Sequence, residues 1–141
     1  MLKSIKVRAY MTRRLVTFQP DMDLFLAINR LLEHGLASAP VVDGEGRLLG
    51  LLSESDCLRA ILTGAYFEDA RGTVGDYMSR ELDTISADAD VIEAAEGFLR
   101  GQRRRLPVVE DGRLVGILAR RDVLQAVKEF AEHDRKQHME E

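Results

Sequence analysis

The amino-acid sequence predicts an α/β fold, mixed in layout (α+β), built from two similar β-α-β-β-α units. The first observation is an internal repeat, because residues of the first half return in the same order at shifts of 67 and then 66 positions. The second is that each half alternates short apolar runs with stretches of helical apolar spacing. Two such halves usually pack about a pseudo-twofold axis, since each covers an apolar face that the other cannot bury alone.

The repeat is carried by motifs that keep their order along the chain. Tyr10-Met11 returns as Tyr77-Met78, and Pro40-Val41-Val42 returns as Pro107-Val108-Val109. Chance would not place such matches in one order with a single gap. The other matches are Leu15 with Leu82, Thr17 with Thr84, Asp23 with Asp90 and, after a turn that is one residue shorter, Gly50 with Gly116 and Asp56 with Asp122.

Local signals predict the elements of copy one. Asp21 and Asp23 can cap a helix, and apolar residues at helical spacing follow them. Aspartate and glycine at 43–46 tolerate the backbone angles of a hairpin turn. The predicted elements are a strand at 15–18, a helix after Asp23 that Gly35 ends, hairpin strands at 39–42 and 47–52, and a helix at 53–62 that ends at Gly64.

Copy two is predicted to follow the same plan. Its elements are a strand at 82–85, a helix capped by Asp90, a hairpin of 106–109 and 114–118, and a closing helix from about 119 to about 131. We set the boundaries at 7–64 for repeat one, 65–73 for a connector, 74–131 for repeat two and 132–141 for a polar C-terminal tail, which we expect to fray.

Composition and charge exclude several classes of protein. The net charge of −4 gives no overall attraction to nucleic acid or to an anionic membrane. The single cysteine, Cys57, permits no internal disulfide and favours a reducing compartment. The sequence has no run of 18 apolar residues and no secretion leader, so we expect a cytoplasmic protein without membrane insertion. It has no Walker loop, Gly-x-Gly-x-x-Gly or zinc-ligand spacing, so we expect neither an enzyme nor a metal site.

The motifs resemble a tandem pair of CBS domains, often called a Bateman module, over roughly residues 7 to 127. Those motifs are Tyr-Met at each start, Leu-x-Thr on the first strand, Pro-Val-Val-acidic on the second, and Gly-apolar-apolar-x-x-x-Asp at the last strand-to-helix turn. The resemblance implies two clefts between the copies that bind adenosine-containing nucleotides such as AMP, ADP or ATP, without a metal. It also implies regulation, such as energy sensing, of a separate partner protein. The alternative is a structural dimerisation module whose clefts stay empty.

The resemblance assigns a first cleft to the helix start of copy one. A carboxylate accepts two hydrogen bonds, which suits a ribose, and a serine hydroxyl with helix-end amides suits a phosphate. Ser-x-x-acidic is also a plain helix cap, and the local sequence alone favours that interpretation. Three adjacent arginines are usually a solvated face, but here they precede Leu106-Pro107, where related domains often carry basic residues that face the phosphates. Guanidinium groups bind phosphate in a fork, and because only two of the three can point into one cleft we choose Arg104 and Arg105. This first cleft combines Ser53, Ser55, Asp56, Leu82, Thr84, Arg104 and Arg105.

The second cleft is assigned to the helix start of copy two. Ala119 replaces the serine there and removes its hydroxyl, so Arg120 is the substitute phosphate ligand and Arg121 is a further candidate. The facing stretch of copy one has no charge, so we expect the first cleft to bind phosphorylated adenosine more tightly. This second cleft combines Asp122 and Arg120 with Thr17, Ala37, Ser38 and Pro40.

We also expect a homodimer, since related modules pair through exposed apolar helix faces. The alternative for the same residues is the core of a single chain. The candidate apolar stripes are Leu58, Ile61 and Leu62 in copy one and Val123, Val127 and Phe130 in copy two.

Overall fold

The computed structural model describes residues 1–63 and 72–140, and within them it has the mixed α/β content that the sequence predicts. The predicted connector at 65–73 and the predicted helix end at Gly64 fall largely outside the described residues. In chain order the elements are two 3-10 turns (Leu2–Ser4 and Val7–Ala9), α1 (Leu24–His34), β1 (Ser38–Val42), β2 (Leu48–Ser53), α2 (Glu54–Leu62), α3 (Val74–Tyr77), β3 (Ile85–Ser86), α4 (Val91–Gly101), β4 (Arg105–Glu110), β5 (Arg113–Ala119) and α5 (Arg120–Glu140).

The first long helix of each copy begins on the aspartate that the sequence indicates, and that of copy one ends at the predicted Gly35. The Asp23 carboxylate accepts a hydrogen bond from the Leu26 N–H at 3.2 Å, and Asp90 caps α4 in the same way. Such a bond satisfies one of the amides that the first turn leaves without a helical partner. Gly35 ends α1 with a φ of 61°, and Gln102 ends α4 with a φ of 53°, where glycine would carry no steric cost.

Strands β1 and β2 form the predicted hairpin of copy one, with Ser38 opposite Ser53. Copy two has a three-stranded sheet in the order β3-β4-β5, in which β3 runs parallel to β4. The strands predicted at 15–18 and 82–85 were too long. The first is a single bridge from Phe18 to Val41, and of the second only Ile85 lies in β3, which continues to Ser86. Phe18 is buried while Thr17 beside it is exposed, so the segment places one side chain in the core rather than a whole strand face.

The described chain divides into two compact units whose limits differ from those of the sequence repeats. One unit contains Met1–Leu15, Asp83–Asp111 and Val115–Glu141, and the other contains Val16–Leu82 and Gly112–Leu114. In the first unit the start of the chain pairs with β5 of copy two, and in the second unit the start of copy two pairs with β2 of copy one. Each unit therefore takes its opening segment from the other copy.

Each unit has its own apolar core. The core of the first unit is formed by Val7, Met11, Ala87, Ala89, Val91, Ala94, Phe98, Leu106, Val108, Leu118, Val123 and Ala126. The core of the second unit is formed by Phe18, Leu24, Ala27, Leu31, Ala39, Val41, Leu52, Cys57, Ala60, Val74 and Met78.

The closing helix α5 continues past the predicted end near residue 131 and reaches Glu140. The predicted helix end was too early, because it relied on an apolar stripe, which the segment after residue 131 lacks. Polar pairs one turn apart support the extension instead, since side chains four residues apart are neighbours on a helix. These pairs are Lys128 with Glu132 at 3.8 Å and Asp134 with His138 at 3.6 Å. Within residues 1–63 and 72–140, no helix combines the length and apolarity needed to cross a bilayer.

Glycine at position 50 allows the opening segment of copy two to lie directly on β2. A β-carbon at this position would stand 2.6 Å from the Ser79 carbonyl oxygen and 2.9 Å from the Met78 sulfur, whereas nothing lies within 4 Å of one at Gly44. We expect Gly50→Ala to lower the free energy of unfolding by about 1–3 kcal/mol, because the added methyl displaces a paired backbone. Gly44→Ala is the matched control, with a change of about 0.5 kcal/mol or less. Urea denaturation measures both free energies of unfolding. Equal losses in the two variants would show that the opening segment can move away from Gly50 without a cost in stability.

Candidate functional site

The start of α2 is a reciprocal cap built by two side chains. The Asp56 N–H donates to the Ser53 hydroxyl at 3.2 Å, and Asp56 Oδ2 accepts from the Ser53 backbone N–H at 2.9 Å. The Ser53 hydroxyl also donates to the same carboxylate oxygen at 3.0 Å. Because strand β2 ends at Ser53 and the helix begins one residue later, this cap fixes the turn between them. The capping interpretation of Ser-x-x-Asp is therefore confirmed.

The second oxygen of the Asp56 carboxylate is bound from further away. Asp56 Oδ1 accepts from the Arg59 guanidinium at 2.6 Å and from the Ser79 hydroxyl at 3.0 Å. The carboxylate carries four hydrogen bonds in all, and its side chain is only 2% exposed. Ionised carboxylates can accept about four bonds, so Asp56 is saturated inside its own unit. Sequence reasoning missed both partners, although Arg59 lies three residues along the same helix and was within reach.

The start of α5 repeats this plan with fewer contacts. Asp122 Oδ2 accepts from the Ala119 backbone N–H at 2.7 Å, which matches the Ser53–Asp56 bond of copy one. Ala119 has no hydroxyl to complete the reciprocal cap, and Asp122 is only half-buried. Among the described residues, the Ala119 amide is the one donor that reaches the Asp122 carboxylate. The two helix-start aspartates therefore differ in how far their own units occupy them.

The three adjacent arginines of copy two have different surroundings. Arg103 donates from Nε to the Asp83 carboxylate at 2.9 Å, so its charge is paired. Arg104 and Arg105 are exposed, and no described residue binds either side chain through a hydrogen bond or ion pair. Two guanidinium groups in this turn thus keep their full set of donors, and they are the two that the sequence favoured as phosphate ligands.

Arg120 is tied to the same turn by its side chain. Its Nε donates to the Arg103 carbonyl at 2.7 Å, and one terminal nitrogen donates to the Phe98 carbonyl at 3.4 Å. The Arg103 carbonyl lies just past the end of α4, and the Phe98 carbonyl also accepts from the Arg103 backbone N–H at 3.2 Å. Arg120 therefore positions the arginine turn, and fewer of its five N–H donors remain for a phosphate. Arg121 beside it is exposed.

The segment before each central proline lies beside the helix start of the same copy. The Ala37 carbonyl accepts from the Glu54 N–H at 2.9 Å, and the Arg104 carbonyl accepts from the Arg120 N–H at 3.4 Å. This backbone bond holds the Ala37–Pro40 stretch against the first turn of α2.

The predicted site residues are distributed over both compact units. Thr84, Arg104, Arg105, Arg120 and Asp122 belong to the unit that contains α5. Ser55, Thr17 and Ala37 are exposed, Ser38 and Leu82 are half-buried, and Pro40 is buried. The residues that belong to the unit containing α2 are Thr17, Ala37, Ser38, Pro40, Ser53, Ser55, Asp56 and Leu82.

Other reactive side chains do not assemble into a centre among the described residues. Burial raises the pKa of the Cys57 thiol, and the charges of Asp56 and Glu54 raise it further. The thiol therefore stays protonated and packs in its core rather than acting as a nucleophile. Within residues 1–63 and 72–140, no three His, Cys, Asp or Glu side chains lie where they could hold one metal ion.

A duplicated α/β unit, in which the last strand runs directly into a helix headed by an aspartate, defines the chain as a tandem-repeat module. The family model of the CBS domain matches it twice, over residues 7–63 and 74–129. The chain belongs to the CBS domain family and carries two CBS domains in tandem.

Three similar proteins give the context of this family. The A-adding tRNA nucleotidyltransferase of Aquifex aeolicus is 36% identical over 128 residues, which are 91% of this chain but 15% of that enzyme. The CBS domain-containing protein YhcV of Bacillus subtilis is 32% identical over 117 residues, 83% of this chain and 81% of that protein. The crystal structure of CBSX2 from Arabidopsis thaliana in complex with AMP matches with a TM-score of 0.77 and 29% identity, covering 90% of this chain and 98% of that chain.

Replacing each helix-start aspartate should reveal the difference in their contacts. Asp56→Ala removes an acceptor of four hydrogen bonds and should lower the free energy of unfolding by about 3 kcal/mol. Asp122→Ala removes a single capping bond and should cost about 1 kcal/mol. Urea denaturation of both variants beside the wild type measures the two losses. Equal losses would mean that the bonds from Arg59, Ser79 and the Ser53 hydroxyl add nothing to the stability of the Asp56 cap.

Proposed function

We propose that this chain is a regulatory module that binds an adenosine-containing nucleotide and acts on a separate partner protein. AMP, ADP and ATP are the first candidates, and the binding requires no metal. Its role is sensing rather than catalysis. We place it in the cytoplasm, where the single free Cys57 stays reduced.

The observation that carries the proposal is the likeness to CBSX2, which was crystallised in complex with AMP. That likeness extends over nine-tenths of this chain and nearly all of the other. Because the two chains are similar over nearly their whole length, the ligand of that CBS pair is the first candidate for this protein. The likeness supports an adenosine ligand in general and leaves the number of phosphates to be measured.

The side chains of this protein offer the chemistry that such a ligand requires. An aspartate at the start of α2 or α5 is an acceptor for ribose hydroxyls, and the amides of a helix start favour a phosphate. Arg104 and Arg105 add two exposed guanidinium groups that no described residue neutralises. We infer that Asp56 and Asp122 are the ribose acceptors and that these two arginines bind phosphate oxygens. The other proposed contacts are Ser53, Ser55, Leu82 and Thr84 for one ligand, and Thr17, Ala37, Ser38, Pro40 and Arg120 for the other.

A specific observation favours one alternative, a dimerisation module without a ligand. Helix α2 exposes Leu58 (60%) and Leu62 (84%), and α5 exposes Leu124 (68%), which are large apolar side chains in water. Exposed apolar side chains on a helix commonly mark a face that a partner covers, and for each helix the partner that we propose is a second copy. Val123 is not one of these exposed residues, because it lies in the core of its unit. Light scattering that returns the mass of one chain at micromolar concentration would contradict the dimer.

A thermal-shift series separates the two functions. A ligand that binds only the folded protein raises its melting temperature, and the rise grows with ligand concentration. We expect AMP, ADP or ATP at millimolar concentration to raise the midpoint by several degrees, roughly the effect of 1–3 kcal/mol of binding linkage. GMP is the matched control for phosphate and ribose without adenine. Midpoints that no adenine nucleotide moves would contradict the proposal and leave the dimerisation module.

Replacing both arginines tests their contact with phosphate. Arg104→Ala combined with Arg105→Ala should weaken AMP about tenfold or more, since charge-assisted bonds to phosphate are strong polar contacts. Adenosine has no phosphate, so its affinity should change by less than about twofold. Arg100→Ala, which removes an exposed arginine of α4, is the matched control. Calorimetry at two salt concentrations should show the AMP loss shrinking at high salt. Equal losses for AMP and adenosine would mean that the arginines support the fold.

A further inference from the structure

The two helix-start aspartates differ in the hydrogen bonds to the carboxylate oxygen that takes no part in the cap. Asp56 Oδ1 is bound by the Arg59 guanidinium at 2.6 Å and by the Ser79 hydroxyl at 3.0 Å. No described residue donates to the corresponding oxygen of Asp122. The difference concerns the very group that would accept a ribose.

The residues that occupy Asp56 are changed in copy two. At the shift of 66, Arg59 corresponds to Gln125, whose amide donates to the Glu129 carboxylate at 3.1 Å. The serine that completes the cap of copy one corresponds to Ala119. Copy two therefore lacks both the guanidinium and one of the hydroxyls that saturate the carboxylate of copy one.

A ribose must compete with Arg59 for the same carboxylate. Its two neighbouring hydroxyls are neutral donors, whereas the guanidinium makes a charge-assisted bond, which is roughly twice as strong. With 2% of its side chain exposed, Asp56 offers no further face to an incoming sugar. Arg59 is 64% exposed, so it can rotate into water without disturbing the core.

We propose that Arg59 is a latch on Asp56, which makes the two aspartates unequal ribose acceptors. An adenosine ligand binds first beside Asp122, and it binds beside Asp56 only when Arg59 has turned away. The apparent affinity beside Asp56 is reduced by the fraction of molecules in which the latch is open. This inference rests on the proposed function, and it reverses the ranking that the arginines of copy two suggested from the sequence.

Adenosine is the probe that isolates the latch. Adenosine carries the ribose but no phosphate, so it has no group for Arg104 or Arg105 to bind. A change in its affinity therefore does not come from phosphate contacts. Calorimetry would compare adenosine binding to the wild type and to Arg59→Gln. The same comparison is made between Asp122→Asn and the double variant Asp122→Asn with Arg59→Gln, in which Asp56 is the remaining ribose acceptor. We expect Arg59→Gln to tighten adenosine binding in that background about tenfold. Arg100→Gln, which changes an exposed arginine of α4, should leave the affinity unchanged.

A further variant shows whether the gain acts through Asp56. Adding Asp56→Asn to Arg59→Gln should abolish the gain, and circular dichroism would confirm that this variant is folded. If it does not fold, the Arg59→Gln comparison decides alone, because Arg59 is exposed and its replacement leaves Ser53 and Ser79 in place. An unchanged affinity in Arg59→Gln, or a gain that survives Asp56→Asn, would overturn the latch while the proposed function stands. Absence of any adenosine or AMP binding to every form would overturn both.

Discussion

The fold depends on a backbone pairing that fastens an opening segment to the last strand of each unit. Leu51 and Ser79 exchange two backbone hydrogen bonds at 2.9 and 2.8 Å, and Thr12 and Ile117 do the same at 2.9 and 3.0 Å. Each pairing requires close approach, which Gly50 and Gly116 allow because they have no β-carbon. The methionine before each pairing, Met78 or Met11, then enters the core of its unit. Strand, opening segment and following helix are thus held as one body.

The pairing also places a polar group where the cap needs one. Ser79 bonds to Leu51 through its backbone, and its hydroxyl reaches the Asp56 carboxylate, which lies 23 positions earlier in the chain. A buried carboxylate is costly unless its oxygens are bound, and here helix start, helix interior and opening segment each supply a donor. The Asp56 cap therefore joins three parts of its unit, whereas the Asp122 cap receives one backbone amide.

The parts of this fold that local sequence encodes were predicted, and the parts that distant pairing decides were not. Hairpin β1–β2 and the caps at Asp23 and Asp90 follow from residues within a few positions of each other. The exchange of opening segments joins residues far apart in the sequence, Thr12 with Ile117 and Leu51 with Ser79, and no periodicity indicates it. The extension of α5 was missed for another reason, because a helix held by polar pairs has no apolar stripe to predict it.

The candidate site shows the same division. Ser53 with Asp56 was recognised from Ser-x-x-Asp, and the choice of Arg104 and Arg105 agrees with the pairing of Arg103 to Asp83. That pairing joins residues 20 positions apart, so sequence could favour two arginines of three without giving the reason. The contact of Arg59 with Asp56 could have been predicted, since a residue three positions along a helix lies on the same face. The contact of Ser79 could not, because its hydroxyl reaches Asp56 only through the pairing with β2.

The two copies of a duplicated chain can share one fold and still have different roles. Both copies keep the glycine, the pairing and the aspartate, which are the parts that the fold requires. They differ in the side chains that bind the carboxylate: Ser53 and Arg59 donate to Asp56 in copy one, whereas the corresponding Ala119 and Gln125 give no side-chain bond to Asp122 in copy two. None of these four residues belongs to either apolar core, so the two aspartates can differ in role while both cores stay the same. Under the proposed latch, copy one uses its carboxylate first to hold its unit together. Copy two, with a weaker cap, keeps a carboxylate oxygen ready for a ligand. Stability in one repeat and binding in the other then follow from four side chains at the same turn.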